Sequence, residues 1–206
     1  MKAYLAAAAA ASHAGSLLEP GTTTYLTQLT SDTTLEVGPA HTLVLDTDDS
    51  FFGLEAPLIN QGVVRWLNAN HYIDGEWNAL AFASKSLVNQ GRMIVDSYVD
   101  LYMDTGLNNQ GGLLQIGANS AVWAPSITGG RIHGLANTSK LNTALKDVTI
   151  TGQVSAAGSA AGTLNVFGTL GVSSMSLSES TLLRGNGRTI LNQGTIKAAP
   201  YALSPQ

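Results

Sequence analysis

Three aspartates, Asp96, Asp100 and Asp104, recur four residues apart. Cleaving a polysaccharide takes a pair of carboxylates, one to protonate the leaving oxygen and one to act as base or nucleophile, held about 5–9 Å apart. Four-residue spacing suits a helix, but the neighbours Tyr98, Val99 and Tyr102 favour a strand, where even offsets put all three acids on one face. On an exposed sheet the same acids would simply keep the surface solvated, and that plainer role is preferred. A second acidic run, Asp46, Asp48 and Asp49, offers alternating oxygens to calcium, yet lacks the glycine and distal glutamate of a helix-loop-helix calcium site and reads as a solvated turn. His13, His41, His71 and His133 are isolated from one another, so no metal site is expected. Arg184–Thr189 has two of the three glycines of a dinucleotide-binding turn without a helical pattern after it, and no Gly-Lys-Ser/Thr phosphate cradle occurs. No cofactor is expected.

Binding without catalysis is the better-supported chemistry. Trp66, Tyr72, Trp77, Tyr98, Tyr102 and Trp123 stand among acids and amides, and aromatic rings beside hydrogen-bonding groups make a reasonable glycan platform, although core packing claims at least half of them. The stretch Asn68–Ser84 gathers Tyr72, Asp74, Glu76 and Trp77, the four candidate ligand-binding residues. The expected partner is a surface glycan or a host or cell-surface protein. A net charge of −4 argues against nucleic acid, whose footprint is clustered Lys and Arg.

What positions these side chains is a repeat. The kernel of apolar residues, Asn-Gln-Gly and apolar residues occurs at Asn60–Gly62, Asn89–Gly91, Asn109–Gly111 and Asn192–Gly194. Its separations of 29, 20 and 83 residues fit a period of about 20 with one insertion, taken as 68–84, because 83 is close to four steps. A short strand, a glycine turn and another strand at that period predict a β-solenoid, in which each coil is too small to bury its own apolar side and relies on its neighbours. Gly62, Gly91, Gly111 and Gly194 are the predicted corners, with Asn60, Asn89, Asn109 and Asn192 beside them and their amides stacked in a ladder. The competing reading makes Asn-Gln-Gly a hairpin turn of an ordinary antiparallel sheet, and the common spacing argues against it.

Composition agrees with an exported β chain. Charged residues are only 12%, against about 25% in an average globular protein, while apolar residues stand at 44%, too many for disorder. There is no cysteine, so neither a disulfide framework nor a thiolate zinc site is available. Residues 1–14 read as a short secretory leader, Lys2 followed by an alanine-rich run, or alternatively as a helix capping the first coil. That run is too short to span a bilayer. The solenoid is assigned to 15–206, and Pro200 and Pro205 end the pattern without a polar cap, as in a piece of a longer array.

Leu58–Trp66, Leu87–Val95, Leu107–Ile116 and Ile190–Ala198 together resemble the N-x-G-x-I coils of exported bacterial β-helix proteins, the haemagglutinin-type and autotransporter-passenger adhesins. The likeness implies a right-handed parallel β-helix, a secreted or cell-surface location, and a role in adhesion or surface scaffolding. It transfers no catalytic residue. The alternative is a polysaccharide-degrading β-helix, a lyase, hydrolase or tailspike-like protein, using Asp96, Asp100 and Asp104. Gly130–Gly134 is similar to a fragment of polygalacturonase signatures but lacks the aspartate pairs that should precede it. Oligomeric state is not legible.

Overall fold

The computed structural model describes residues 21, 23–26, 29–30, 32–46, 51–68, 78–157, 163–177, 182–186, 191–192 and 195–198. Three short strands and three corners make one coil. The first three coils are β1 (Thr23–Leu26), β2 (Leu29–Thr30) and β3 (Leu35–Val37); β4 (Thr42–Asp46), β5 (Phe51–Glu55) and β6 (Leu58–Asn60); and β7 (Val63–Leu67), β8 (Ala79–Ala83) and β9 (Leu87–Asn89). The fourth is β10 (Arg92–Val95), β11 (Val99–Met103) and β12 (Leu107–Asn108). Then β13 (Leu113–Ile116) leads into β14 (Ala121–Thr128), and the long β15 (Arg131–Ala157) bends through several corners. The last strands are β16 (Thr163–Val172), β17 (Ser174–Leu177), β18 (Leu182–Asn186), β19 (Leu191–Asn192) and β20 (Thr195–Ala198).

Every pairing between these strands is parallel, and each joins one coil to the next, which makes a β-solenoid with coils of ~21 residues. Three faces result. The first stacks β1, β4, β7, β10, β13 and part of β15. The second stacks β2, β5, β8, β11, the start of β14 and part of β15. The third stacks β3, β6, β9, β12, the end of β14 and part of β15. An antiparallel hairpin sheet is thereby excluded. No described residue lies in a helix. The leader or capping segment 1–14 lies outside the described residues, as do residues 199–206.

Alternation along each strand sends every second side chain inward, and the parallel register stacks like on like. On the third face Leu35, Leu58, Leu87, Leu107, Ile127 and Leu145 follow one another in register. On the first, Leu43, Val64, Met93, Leu114 and Ile132 do the same. Bulk is balanced within a coil. The coil that buries Trp66 completely supplies only Ala79, Ala81 and Ala83 from its second face, so large meets small across the tube.

The corner between the third and first faces carries the amide ladder. Asn60 Nδ2 donates to Asn89 Oδ1 at 2.7 Å, and Asn89 Nδ2 donates to Asn109 Oδ1 at 2.7 Å. Each amide also donates to the first carbonyl of the first-face strand that leaves the following corner: Asn60 to Arg92 at 3.0 Å, Asn89 to Leu113 at 3.2 Å and Asn109 to Arg131 at 3.1 Å. All three asparagines are fully buried, so this pairing removes what would otherwise be a large desolvation cost. At the upper end, Val37 occupies the ladder position, and Asn60 Oδ1 has no partner among the described residues.

One expected corner is lengthened by a residue and another falls elsewhere. Register pairs Arg92 with Leu113, so the third kernel has one extra residue: Gly112, not Gly111, follows Gly62 and Gly91 in the stack. A Cβ on Gly62, Gly91 or Gly112 would collide with backbone of the preceding coil, whereas Gly111, at φ +84°, has open space around its Cβ position. Asn192 lies in β19 on the first face, beside Gly171, and so is off the corner; Gly194 lies outside the described residues. The corner itself persists in later coils through Gly129, Asp147 and Gly168, at φ 75°, 54° and 69°. The bend there takes left-handed backbone, which glycine and aspartate both supply.

Gly111→Ala is accordingly expected to cost only the left-handed penalty of about 1–2 kcal/mol, with Gly91→Ala and Gly112→Ala costing clearly more. Asn89→Ala, which strands buried polar atoms above and below it, is expected to cost roughly 3 kcal/mol or more. Urea denaturation of the four proteins checks the order. A Gly91→Ala chain as stable as Gly111→Ala would contradict the stacked-corner geometry.

Candidate functional site

The candidate catalytic acids are dispersed by a corner. Ser97 and Tyr98 turn the chain between β10 and β11, with Tyr98 at φ 63°, so Asp96 ends the first face while Asp100 lies on the second. The expectation of three acids on one strand face is therefore corrected: the four-residue spacing spans a bend, which sequence periodicity does not reveal. Asp96 Oδ2 accepts from Arg65 Nε at 2.7 Å in a partly exposed ion pair. Such a pair contributes about 0.2–1 kcal/mol. Asp100 Oδ1 accepts from Asn78 Nδ2 at 2.8 Å and from the Ala121 amide at 2.9 Å. Asp104 is exposed just beyond β11. Among the described residues no three His, Cys, Asp or Glu side chains gather closely enough to hold a metal ion.

Asp100 belongs to a polar corner that joins successive coils. Asn78 Nδ2 also donates to the Asn119 carbonyl at 2.8 Å, and the Asn119 amide donates to Thr138 Oγ1 at 2.9 Å. Beneath it, the buried Ser120 hydroxyl accepts from the Val99 amide at 3.1 Å and donates to the Asp96 carbonyl at 2.6 Å. Ser139, fully buried one coil on, donates to the Gly117 carbonyl at 2.8 Å. Sequence reasoning missed these serines, because a lone serine in a β chain carries no spacing signal of its own.

The second face has one outward feature that no core requirement explains. Phe82, Tyr102 and Trp123 occupy one register position in three successive coils. Their rings stack, Phe82 on Tyr102 at 5.2 Å between centroids and 16° between planes, Tyr102 on Trp123 at 5.6 Å and 8°. Offset stacking of this kind is worth about 0.5–1.5 kcal/mol per pair beyond area burial. Gly53 precedes the row in register and Asn142 follows it. Trp123 remains 39% exposed and Leu80, two residues before Phe82, 37%. Asp100 lies two residues before Tyr102 on the same outward side. Burial beside its neighbours, and secondarily the Asp100 carboxylate, raise the Tyr102 phenol above its ordinary value of 10.0.

Of the four ligand-binding candidates in the excursion, Tyr72, Asp74, Glu76 and Trp77, all lie outside the described residues, as do His71, Asp48 and Asp49. Within the stretch read as the insertion, β8 occupies Ala79–Ala83 as a regular rung. Tyr102 and Trp123 were among the six aromatics named as a glycan platform, without a sign of which would face outward, and Phe82 and the three-ring alignment needed the register; the signal was an aromatic recurring at the coil period. The chain matches no known protein family, no curated protein and no solved structure.

The Tyr102 shift has a definite sign. A phenol raised in the folded chain contributes stability that is whole below pH 10 and is lost as pH climbs through the folded value. Tyr102→Phe is expected to remove that share of the alkaline loss, and Asp100→Asn to bring the Tyr102 titration back toward 10, read as the ultraviolet difference between each variant and the Tyr102→Phe chain.

Proposed function

We propose that the chain is a non-catalytic module, secreted or displayed at a cell surface, that serves adhesion or surface scaffolding and takes glycan as its partner. The observation that carries this reading is the outward, stacked Phe82–Tyr102–Trp123 row on the second face. Aromatic side chains on the outside of a sheet offer apolar area to the C–H surfaces of pyranose rings, and Asp100 and Asp104 beside Tyr102 offer acceptors to sugar hydroxyls. The row is fixed by coil stacking, so little freedom is lost on binding. Engagement of Asp96 by Arg65, and of Asp100 by Asn78 and the Ala121 amide, supports a structural use of those acids over a cleaving one. Export is supported by the leader-like start and the sparse charge of the chain.

Purified protein is expected to bind on a glycan array or to intact cells without shortening any polysaccharide. Trp123→Ala combined with Tyr102→Ala is expected to weaken that binding roughly tenfold or more, as loss of aromatic anchors does, while the circular dichroism spectrum is kept. Depolymerisation of a polysaccharide by the wild type, abolished by Asp96→Asn or Asp100→Asn in a folded chain, would replace this reading with the enzymatic one.

A further inference from the structure

The outward side of the first face carries three arginines, on β7, β10 and β15. Arg65 stands opposite Ile94, two residues from the Val63 that pairs with Arg92, so Arg65 and Arg92 are diagonal neighbours in adjacent rungs. Arg92 pairs with Leu113, and Leu113 with Arg131, so Arg92 and Arg131 lie in one column two rungs, about 9.6 Å, apart. Gln115 and His133 continue the Arg65 column. All three arginines are exposed.

Two of them are held in place by neighbours. The Arg65 Nε–Asp96 pair leaves the terminal NH groups of Arg65 unclaimed by that carboxylate, and Arg92 Nη2 donates to Gln115 Oε1 at 2.6 Å. His133 Nδ1 and Thr151 Oγ1 lie 3.0 Å apart, which fixes the imidazole next to Arg131. The described carboxylates along this face are Asp96, paired with Arg65, and the buried Asp46 at the end of β4, with Asp147 exposed at the corner ahead of Thr149 and accepting from the Thr169 amide. Arg65 is matched by Asp96, so Arg92 and Arg131 are the described cations of the column that no described acid pairs, on a chain whose net charge is −4.

We propose that this column binds a carboxylate-bearing polysaccharide laid along the axis of the tube. The inference rests on the reading of the chain as a glycan-binding module and adds the charge class of the glycan. Guanidinium forks match carboxylates in shape as well as charge, and forks already oriented by Asp96 and Gln115 lose less freedom on pairing. Cations repeating along the axis suit an extended chain with one acid per repeat. A nucleic acid fits less well, because its affinity grows with the number of phosphates neutralised, and two arginines on an acidic protein neutralise few.

The test titrates the full chain at low salt with a polygalacturonate oligomer, a neutral glucan oligomer of equal length, chondroitin sulfate and a DNA duplex. Polygalacturonate is expected to bind best, to weaken with salt, and to lose roughly tenfold or more in affinity with Arg92→Gln/Arg131→Gln, whereas Lys85→Gln leaves it unchanged. Arg131→Gln alone, at a solvent-facing position, gives a smaller loss and guards against a folding defect in the double variant. Tighter binding of chondroitin sulfate overturns the carboxylate assignment, tighter binding of DNA overturns the polysaccharide one, and an unaltered double variant overturns the site. Neutral-glycan binding that depends on Tyr102 and Trp123 while polygalacturonate does not bind sinks this inference alone; a chain that binds no glycan of any kind sinks the adhesive reading with it.

Discussion

A coil of this tube cannot satisfy its own backbone. Its strands point their amides and carbonyls along the axis, so the hydrogen bonds of each rung are completed by the rungs on either side, and its apolar side chains face an interior that only the stack closes. Everything else follows from keeping successive rungs in register. A slip of one residue would turn the interior leucines outward, and the interior stacks of Leu58, Leu87 and Leu107 or of Val64, Met93 and Leu114 set the penalty for it.

Register is fixed most tightly at the corner where asparagine amides pair. A buried amide with two donors and one acceptor matches only one neighbour, so the Asn60–Asn89–Asn109 contacts act as pins where apolar packing alone would tolerate sliding. The second corner uses a different device for the same purpose, with Ser120 and Ser139 plugging backbone groups and Asn78 bracing Asp100. Between these corners the outward positions are released from structural duty. That is where the aromatic row and the arginines sit, on adjacent faces, held by contacts between neighbouring rungs and not by the core.

The architecture was readable because Asn-Gln-Gly recurs at nearly one coil length, and asparagine and glycine each have a physical reason to be at that bend. Reading stopped where the reason could be met otherwise. Gly129, Asp147 and Gly168 make the same turn without the motif, so its later copy at Asn192 matched the period by coincidence and sits on a face. Gly111 carried the expected letter, but an inserted residue shifted the close approach to Gly112. The aspartates at 96, 100 and 104 were misplaced for a related reason: their even spacing crosses a bend marked only by Tyr98, a residue that seldom adopts positive φ. Phe82, Tyr102 and Trp123 repeat at the coil interval, yet three unlike aromatic letters do not announce themselves as one column.

The amide pins also make the length of the tube a quantised property. Each of Asn60, Asn89 and Asn109 gives its hydrogens toward the following rung and turns its oxygen to the preceding one, so these three rungs present the same acceptor on one side and the same donors on the other. Removing one whole turn between Asn60 and Asn109 would leave matching ends, whereas removing half of one would leave a leucine facing an amide. Such a chain can lengthen or shorten through evolution by complete turns, and any partner that reads its outer rows meets a ruler whose divisions are set from within.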